Sequence, residues 1–321
     1  MALVNTVLGP VDADGLGLTL VCEALLNVVP GAQYGYDIRI DRAEVFDAIA
    51  AKLADFKANG GGAIVDATGM FKGRDLTLYE ALSRDTGVHI VASTGQGPEA
   101  MLGGYFLTPQ TNPPTPWPAE RFAEMFTREV TEGMVVPRLE RRSAAGLVAT
   151  AVTVEGMTPT DESLVRGAAR TGLATGVAVL IRCGSDALAN LDIALSEGIP
   201  ADQVVIADLD RNDAVAADWP GEVARRGAWV AIDHTGSTDP QYVSDAVRVA
   251  LIMSLVNDGH ADRVLISSSA TGVSFGEPGN DMAFSHVLTE FVPQLRAAGL
   301  TNVTIQQILT TNPANLLSVR K

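Results

Sequence analysis

Short apolar runs, each closed by a polar residue, recur about eight times along this chain, with an amphipathic stretch between one and the next. AIVD, HIVAS, LIRC, VVIAD, VAID and LISSS are six of them. A strand buried on both faces loses the polar alternation of a half-exposed sheet and reads as a continuous apolar run. Strands of that kind alternating with helices make a parallel sheet of βα units. Polar residues at the ends of the runs suit a barrel whose reactive face lies at the carboxyl ends of its strands. The expected fold class is therefore α/β, a (β/α)8 TIM barrel, and 321 residues are compatible with a single domain over 1–321.

The spacing predicts strands over Leu16–Cys22, Ala63–Asp66, His89–Ser93, Gly146–Val152, Val177–Cys183, Gln203–Asp208, Ala228–Asp233 and Arg263–Ser269. Helices are expected over Asp41–Asn59, Thr160–Thr171, Tyr242–Asn257 and Phe284–Ala298, with a last short one opened by Asn312 as cap and Pro313 at its first position. Residues 1–15 should form a hairpin closing the bottom of the barrel. The segment 95–118 is far longer than the usual connection of about 4–6 residues. It would lie over the mouth, where Tyr105, Phe106 and Trp117 either line a pocket or pack the loop down. Ala270–Asp281, rich in Gly and Ser, reads as a second, mobile loop.

A net charge of −15 and the lack of any Lys/Arg cluster argue against nucleic acid or an anionic membrane surface as partner. Two cysteines make no disulfide framework. No basic segment followed by an apolar one opens the sequence, and no apolar run approaches about 18 residues. The expectation is a soluble cytoplasmic protein acting on a small-molecule substrate.

Several segments together resemble the phosphotriesterase-like proteins of the amidohydrolase superfamily: NTVLGPVDADGLGLTLVCEALL, GGGAIVDATG, GRDLTLYEALSRDTGVHIVASTG, LDIALSEGIPADQVVIADLDRND and FVPQLRAAGLTNVTIQQILTTNPANLL. They cover nearly the whole chain in order. The resemblance implies the eight-stranded barrel, often assembled as a homodimer. It also implies two divalent metals held by an HxH pair after strand one, a carboxylated lysine on strand four, histidines on strands five and six, and an aspartate on strand eight. Those positions here fall on Cys22 and Ala24, Ala149, Arg182, Asp208 and Ser269. Two cations need several N or O ligands, and a guanidinium repels a cation. No metal and no other cofactor is expected.

Arg182 and Asp208 end neighbouring strands and should meet in the mouth. They are either a structural ion pair plugging a dead site or a working pair, with Arg182 anchoring an anion or polarising a carbonyl and Asp208 serving as base. Cys22 is either a nucleophile whose thiol Arg182 acidifies or a small buried hydrophobe. Cys183, one residue past Arg182, should point toward the helices, and Glu23 away from Cys22. Ser267 and Ser269 share the inward face of the last strand. Either could hold substrate oxygens, and Ser269 could be a nucleophile given a base. His234 is the one histidine placed at a strand end for proton transfer. Asp66 either contacts substrate or braces backbone. Lys72 and Arg74 read as surface or helix-start charges, with contact to an anion as the other reading.

The expected function is a metal-independent hydrolase of a small carbonyl compound, a lactone, ester or amide. A lyase or isomerase using the same Arg/Asp pair and a non-catalytic binding or scaffold protein are the alternatives.

Overall fold

The computed structural model describes residues 2–320 except 71, 103–106, 109–110, 113–114 and 137–138. Eight parallel strands follow one another around a barrel: β1 Leu18–Val28, β2 Gly61–Asp66, β3 His89–Thr94, β4 Leu147–Ala151, β5 Ala178–Arg182, β6 Val204–Ala207, β7 Trp229–Ile232 and β8 Val264–Ile266. Each is hydrogen-bonded to its sequence neighbour from β1 through β8. A ninth strand, β9 Thr271–Phe275, lies beside the second half of β1, with Thr271 opposite Ala24 and Phe275 opposite Val28. The segment expected as a mobile loop is thus partly a strand, and β1 runs six residues beyond its expected end because β9 gives it a partner.

Closure between β8 and β1 depends on a side chain. Ser267 Oγ accepts from the backbone N–H of Val21 at 2.9 Å and of Cys22 at 3.1 Å, and Ala24 N donates to Ala270 O at 3.0 Å. The β1–β2 register shifts between Leu20 and Glu23. That irregularity frees the two N–H groups that Ser267 takes up.

Alternating side chains divide the apolar residues into two cores. Val21, Val65, Leu147, Leu180, Val205 and Leu265 pack inside the barrel. Ile64, Ile90, Val148, Ile181, Cys183 and Ile206 face the helices. Cys183 therefore lies where its position after Arg182 placed it. The hairpin Leu3–Thr6/Gly9–Asp12 caps the amino end of the barrel and puts Val4 into the inner core.

Helix α1, Arg42–Ala58, starts at Asp41, whose carboxylate accepts from Ala43 N and Glu44 N, and buries Val45, Ile49, Leu53 and Phe56. Helix α2 spans Leu76–Thr86 and α3 spans Ala119–Thr131. Helix α4, Pro159–Thr175, opens with a capping box between Thr158 and Asp161, a device that contributes about 1 kcal/mol, and ends at Gly176 in the left-handed region (φ 78°). Helix α5, Asp245–Asn257, begins three residues later than its pattern suggested, because Tyr242 leaves the helix for the barrel mouth. Near the C-terminus two π-turns, Val287–Phe291 and Gln307–Thr311, interrupt the helices. Asn312 is consequently inside a helical turn rather than capping one. Its side chain donates to Ala261 O and Val264 O instead.

Segment 95–118 holds a short helix, Glu99–Leu102, and a two-stranded pair, Leu107–Thr108 with Thr115–Pro116. No described helix is long and apolar enough to cross a membrane.

Candidate active site

The polar residues that end the barrel strands leave the sheet ladder and turn into the mouth. Asp208, just past β6, and Ser269, three residues past β8, both hold positive φ (62° and 47°). That conformation is uncommon for residues other than glycine and clusters at functional sites. Between them sits Arg182, the last residue of β5. Its Nη1 donates to Asp208 Oδ1 at 2.7 Å and to Asp233 Oδ2 at 3.2 Å, and its Nη2 donates to Ser269 Oγ at 3.3 Å. Ser269 Oγ donates to Asp233 Oδ2 at 3.2 Å, and Asp233 Oδ1 accepts the Asp208 backbone N–H at 2.8 Å. Burial works against the Arg182 charge, but Asp208 and Asp233 outweigh it and hold the guanidinium protonated beyond its usual range. Burial pushes the Asp233 carboxyl up to about 6, only partly offset by His234 and Arg182. Asp208 Oδ2 makes no hydrogen bond among the described residues.

A second ionic layer supports the first. His234 Nδ1 lies 3.0 Å from Asp210 Oδ1, and Asp210 Oδ2 accepts the His234 backbone N–H at 3.0 Å and Arg248 Nε at 2.7 Å. Tyr242 stacks on the His234 ring, 3.7 Å between centroids. Burial opposes charge on His234, but Asp233 and Asp210 prevail and raise its pKa above the ordinary imidazole value. His234 Nε2 is 3.7 Å from Asp208 Oδ1, outside hydrogen-bond distance.

Of these groups Arg182, Asp208, Ser269 and Tyr242 border a cavity of about 310 Å³ at the carboxyl end of the barrel, with Asp233, His234, Asp210 and Arg248 behind them. Arg182 keeps 28% of its side chain open, enough to meet a ligand there. All six positions at which the resemblance implies metal ligands, Cys22, Ala24, Ala149, Arg182, Asp208 and Ser269, converge on it. So do Glu23, Asn27, Lys72, Gln96 and Tyr242. Glu23 does not simply face away from Cys22, because the β1 irregularity breaks the strand's alternation between them. Its carboxylate accepts Ser268 N at 2.9 Å and Ala270 N at 2.5 Å. Burial nevertheless raises its pKa to about 8.

Cys22 is fully buried. Burial and then Asp233 push its thiol far up, and the opposing pull of Arg182 is weaker. The raised thiol favours the small buried hydrophobe over the acidified nucleophile, the two readings the sequence left open. Ser267 is buried and committed to closing the barrel. Asp66 accepts from Leu25 N and the Tyr79 hydroxyl, each at 2.8 Å, and from Thr68, and it does not border the cavity. Trp117 lines a different groove, 5.7 Å from the Phe122 ring and under the Arg121 guanidinium. Tyr105 lies outside the described residues. Arg74 is no surface charge: it forms a buried fork with Glu129 at 2.7 and 2.9 Å. Lys72 belongs to the cavity wall, where burial lowers its pKa.

Asp210, Arg248, Tyr242, Gln96 and Asn27 escaped sequence reasoning. Two local signals were present: a second acid two residues after Asp208 in VVIADLD, and Gln96 two residues past Thr94, where β3 ends.

Fold and site together define a (β/α)8-barrel protein with an ionic cluster at the carboxyl end of its strands. A family model described as the phosphotriesterase family matches residues 2–317, and the chain belongs to that family. A phosphotriesterase homology protein of Escherichia coli (strain K12) is 25% identical over 304 residues, covering 94% of this chain and 98% of that protein. A phosphotriesterase-related protein of Aedes aegypti is 27% identical with full coverage of both. An N-acetyltaurine hydrolase of Rattus norvegicus is 25% identical, covering 99% and 98%. Among solved structures, a mutant of a PTE-like lactonase of Deinococcus radiodurans superposes with a TM-score of 0.84 at 25% identity, covering 98% of this chain and all of that one.

The resemblance implies two metal ions, and the six converging positions offer a neutral thiol, two methyl groups, a guanidinium, one carboxylate and one hydroxyl. That donor set does not fit a binuclear centre. Among the described residues, Asp208, Asp233 and His234 bring ligand atoms within 4.8 Å of one another. Both carboxylates are already paired to Arg182, however, and His234 Nδ1 to Asp210.

Proposed function

We propose that this chain is a hydrolase of a small carbonyl compound, a lactone, ester or amide, that works without a metal. The observation that carries the reading is Arg182, held charged by Asp208 and Asp233 on the wall of an open cavity where metal ligands would converge. A fixed guanidinium can stabilise the negative charge that builds on a carbonyl oxygen during attack. Arg182 keeps N–H donors beyond those used on Asp208, Asp233 and Ser269. The free oxygen of Asp208 orients a water and accepts its proton as the water oxygen bonds to the carbonyl carbon. The same proton then passes to the leaving oxygen or nitrogen as its bond to carbon breaks. Asp233 and Ser269 fix the Arg182 fork, and His234, oriented by Asp210, supports the charge of Asp208. The relatives named as hydrolase and lactonase support hydrolysis as the reaction type.

The test is a panel of lactones, esters and amides assayed with chelator present, with Arg182→Met and Asp208→Asn alongside. Retained turnover in chelator and a loss of about 100-fold or more in each variant are expected. Abolition by chelator with stoichiometric metal in the pure protein, or full rates in both variants, would overturn the reading.

A further inference from the structure

Three side chains on the cavity wall hold hydrogen-bonding capacity that no described residue uses. Gln96 is 3% exposed, and both its amide nitrogen and its amide oxygen lack partners. Asn27 donates through Nδ2 to Ser274 Oγ at 3.3 Å and to Glu277 Oε1 at 3.0 Å, but its Oδ1 is buried without a partner. Lys72 makes one contact with a carboxylate, Glu277 Oε1 at 4.0 Å, too long for a hydrogen bond. Buried polar atoms of this kind are nearly always satisfied in a folded protein, by water or by a ligand.

Their chemistry discriminates between carbonyl substrates. Gln96 Oε1 and Asn27 Oδ1 are acceptors, so each needs a ligand N–H or O–H. A lactone or a simple ester offers neither, and binding one would leave both carbonyls desolvated and unpaired. An amide or lactam supplies the N–H for Gln96 Oε1 and a carbonyl for Gln96 Nε2. Lys72, on the same wall, has ammonium donors for an anionic substituent.

We propose that the cavity selects an N–H-bearing carbonyl compound, an amide or lactam that also carries an acidic group, with Gln96 and Asn27 recognising the N–H and Lys72 the acid. The inference rests on the reading of this cavity as the substrate site. It is tested by binding rather than turnover, so the two can fail separately.

The experiment is calorimetric titration of the full chain with two matched pairs of probes. They are 5-oxoproline against 5-oxotetrahydrofuran-2-carboxylate, and N-acetylglycine against acetoxyacetate. Within each pair an N–H is exchanged for an oxygen and the carboxylate is kept. The N–H member of at least one pair should bind about tenfold or more tightly than its oxygen counterpart. Gln96→Leu should collapse that ratio toward one, while Lys72→Met should weaken both members alike. Equal binding within both pairs, no binding of either N–H probe, or a ratio unchanged in folded Gln96→Leu and Asn27→Leu proteins would overturn the proposal. Should a variant fail to fold, the matched pairs on the unaltered protein decide. N–H preference without turnover would keep this inference and remove the hydrolase reading; turnover without preference would do the reverse.

Discussion

Arg182 Nη1 donates to Asp208 Oδ1 at 2.7 Å and so ties the last residue of β5 to the residue that follows β6. The contact does not stand alone, because Asp233 accepts from the same nitrogen at 3.2 Å and from the Asp208 backbone. One guanidinium therefore holds the ends of three strands together and compensates two carboxylates.

Removing that guanidinium should cost stability as well as activity. In Arg182→Met, Asp208 and Asp233 would face each other unpaired. The expected loss is about 3 kcal/mol, the lower end for breaking a buried pair, since Arg182 is partly open. Urea denaturation measures it. Asp208→Asn, which leaves Arg182 paired to Asp233, should cost less.

Asp210 should prove more important to stability than Asp208. Its carboxylate has no exposed side-chain surface and serves His234 twice and the fully buried Arg248 once. Asp210→Asn should destabilise by roughly 3–5 kcal/mol and bring the His234 pKa down, because a raising partner is lost. Melting curves and the imidazole proton shifts across a pH titration check the two effects.

Stability should fall as pH rises from mildly acid to mildly alkaline. Glu23 has a folded pKa of about 8 against an ordinary 4.5, and Asp233 about 6 against 3.8. Each acid is raised, so the folded state binds more protons than the unfolded state between the two values. Stability is full below the ordinary pKa and declines until the folded value is passed. The window is about 4.5 to 8 for Glu23 and about 4 to 6 for Asp233. A raised His234 has the same sign, its contribution being lost as pH rises through its folded pKa. Unfolding free energies from urea titrations at about pH 5 and about pH 8.5 should differ by a few kcal/mol, and Glu23→Gln should flatten the slope. A wild-type slope of opposite sign would contradict the assignment.

Neither cysteine should react in the native protein. Cys22 and Cys183 are buried, and burial pushes both thiols up. Alkylation at about pH 8 followed by mass measurement should leave both free until denaturant is added. Rapid native labelling of Cys22 would reinstate it as a nucleophile.

Added zinc or manganese should leave the melting temperature unchanged, because a cation has to displace Arg182 from Asp208 and Asp233 to bind. Tight binding to the native state would instead raise it in proportion to the logarithm of metal concentration.

The βα succession was legible in the sequence, because strands buried on both faces and amphipathic helices leave different periods in the apolar pattern. The convergence of Cys22, Ala24, Ala149, Arg182, Asp208 and Ser269 followed from that order together with the resemblance. Strand-end residues around a barrel point to one mouth whatever lies between them. Local pattern failed where a residue's partner is far away in the chain. Nothing near Ser267 tells that it binds Val21 and Cys22, and nothing near Lys72 places it on the cavity wall. Asn312 looked like a cap until a π-turn carried the helix through it. Charge states were equally out of reach. An arginine beside a cysteine suggests an acidified thiol, but burial and Asp233 reverse the sign, and burial, with Asp233 adding to it, puts Glu23 near 8. The sequence by itself determined the barrel and which residue types stand at its mouth, since periodicity and order are properties of the chain. Only the tertiary structure decided which of them are paired, which are neutral and which, like Gln96, have no partner among the described residues. Those properties depend on desolvation and on contacts between residues distant in the chain.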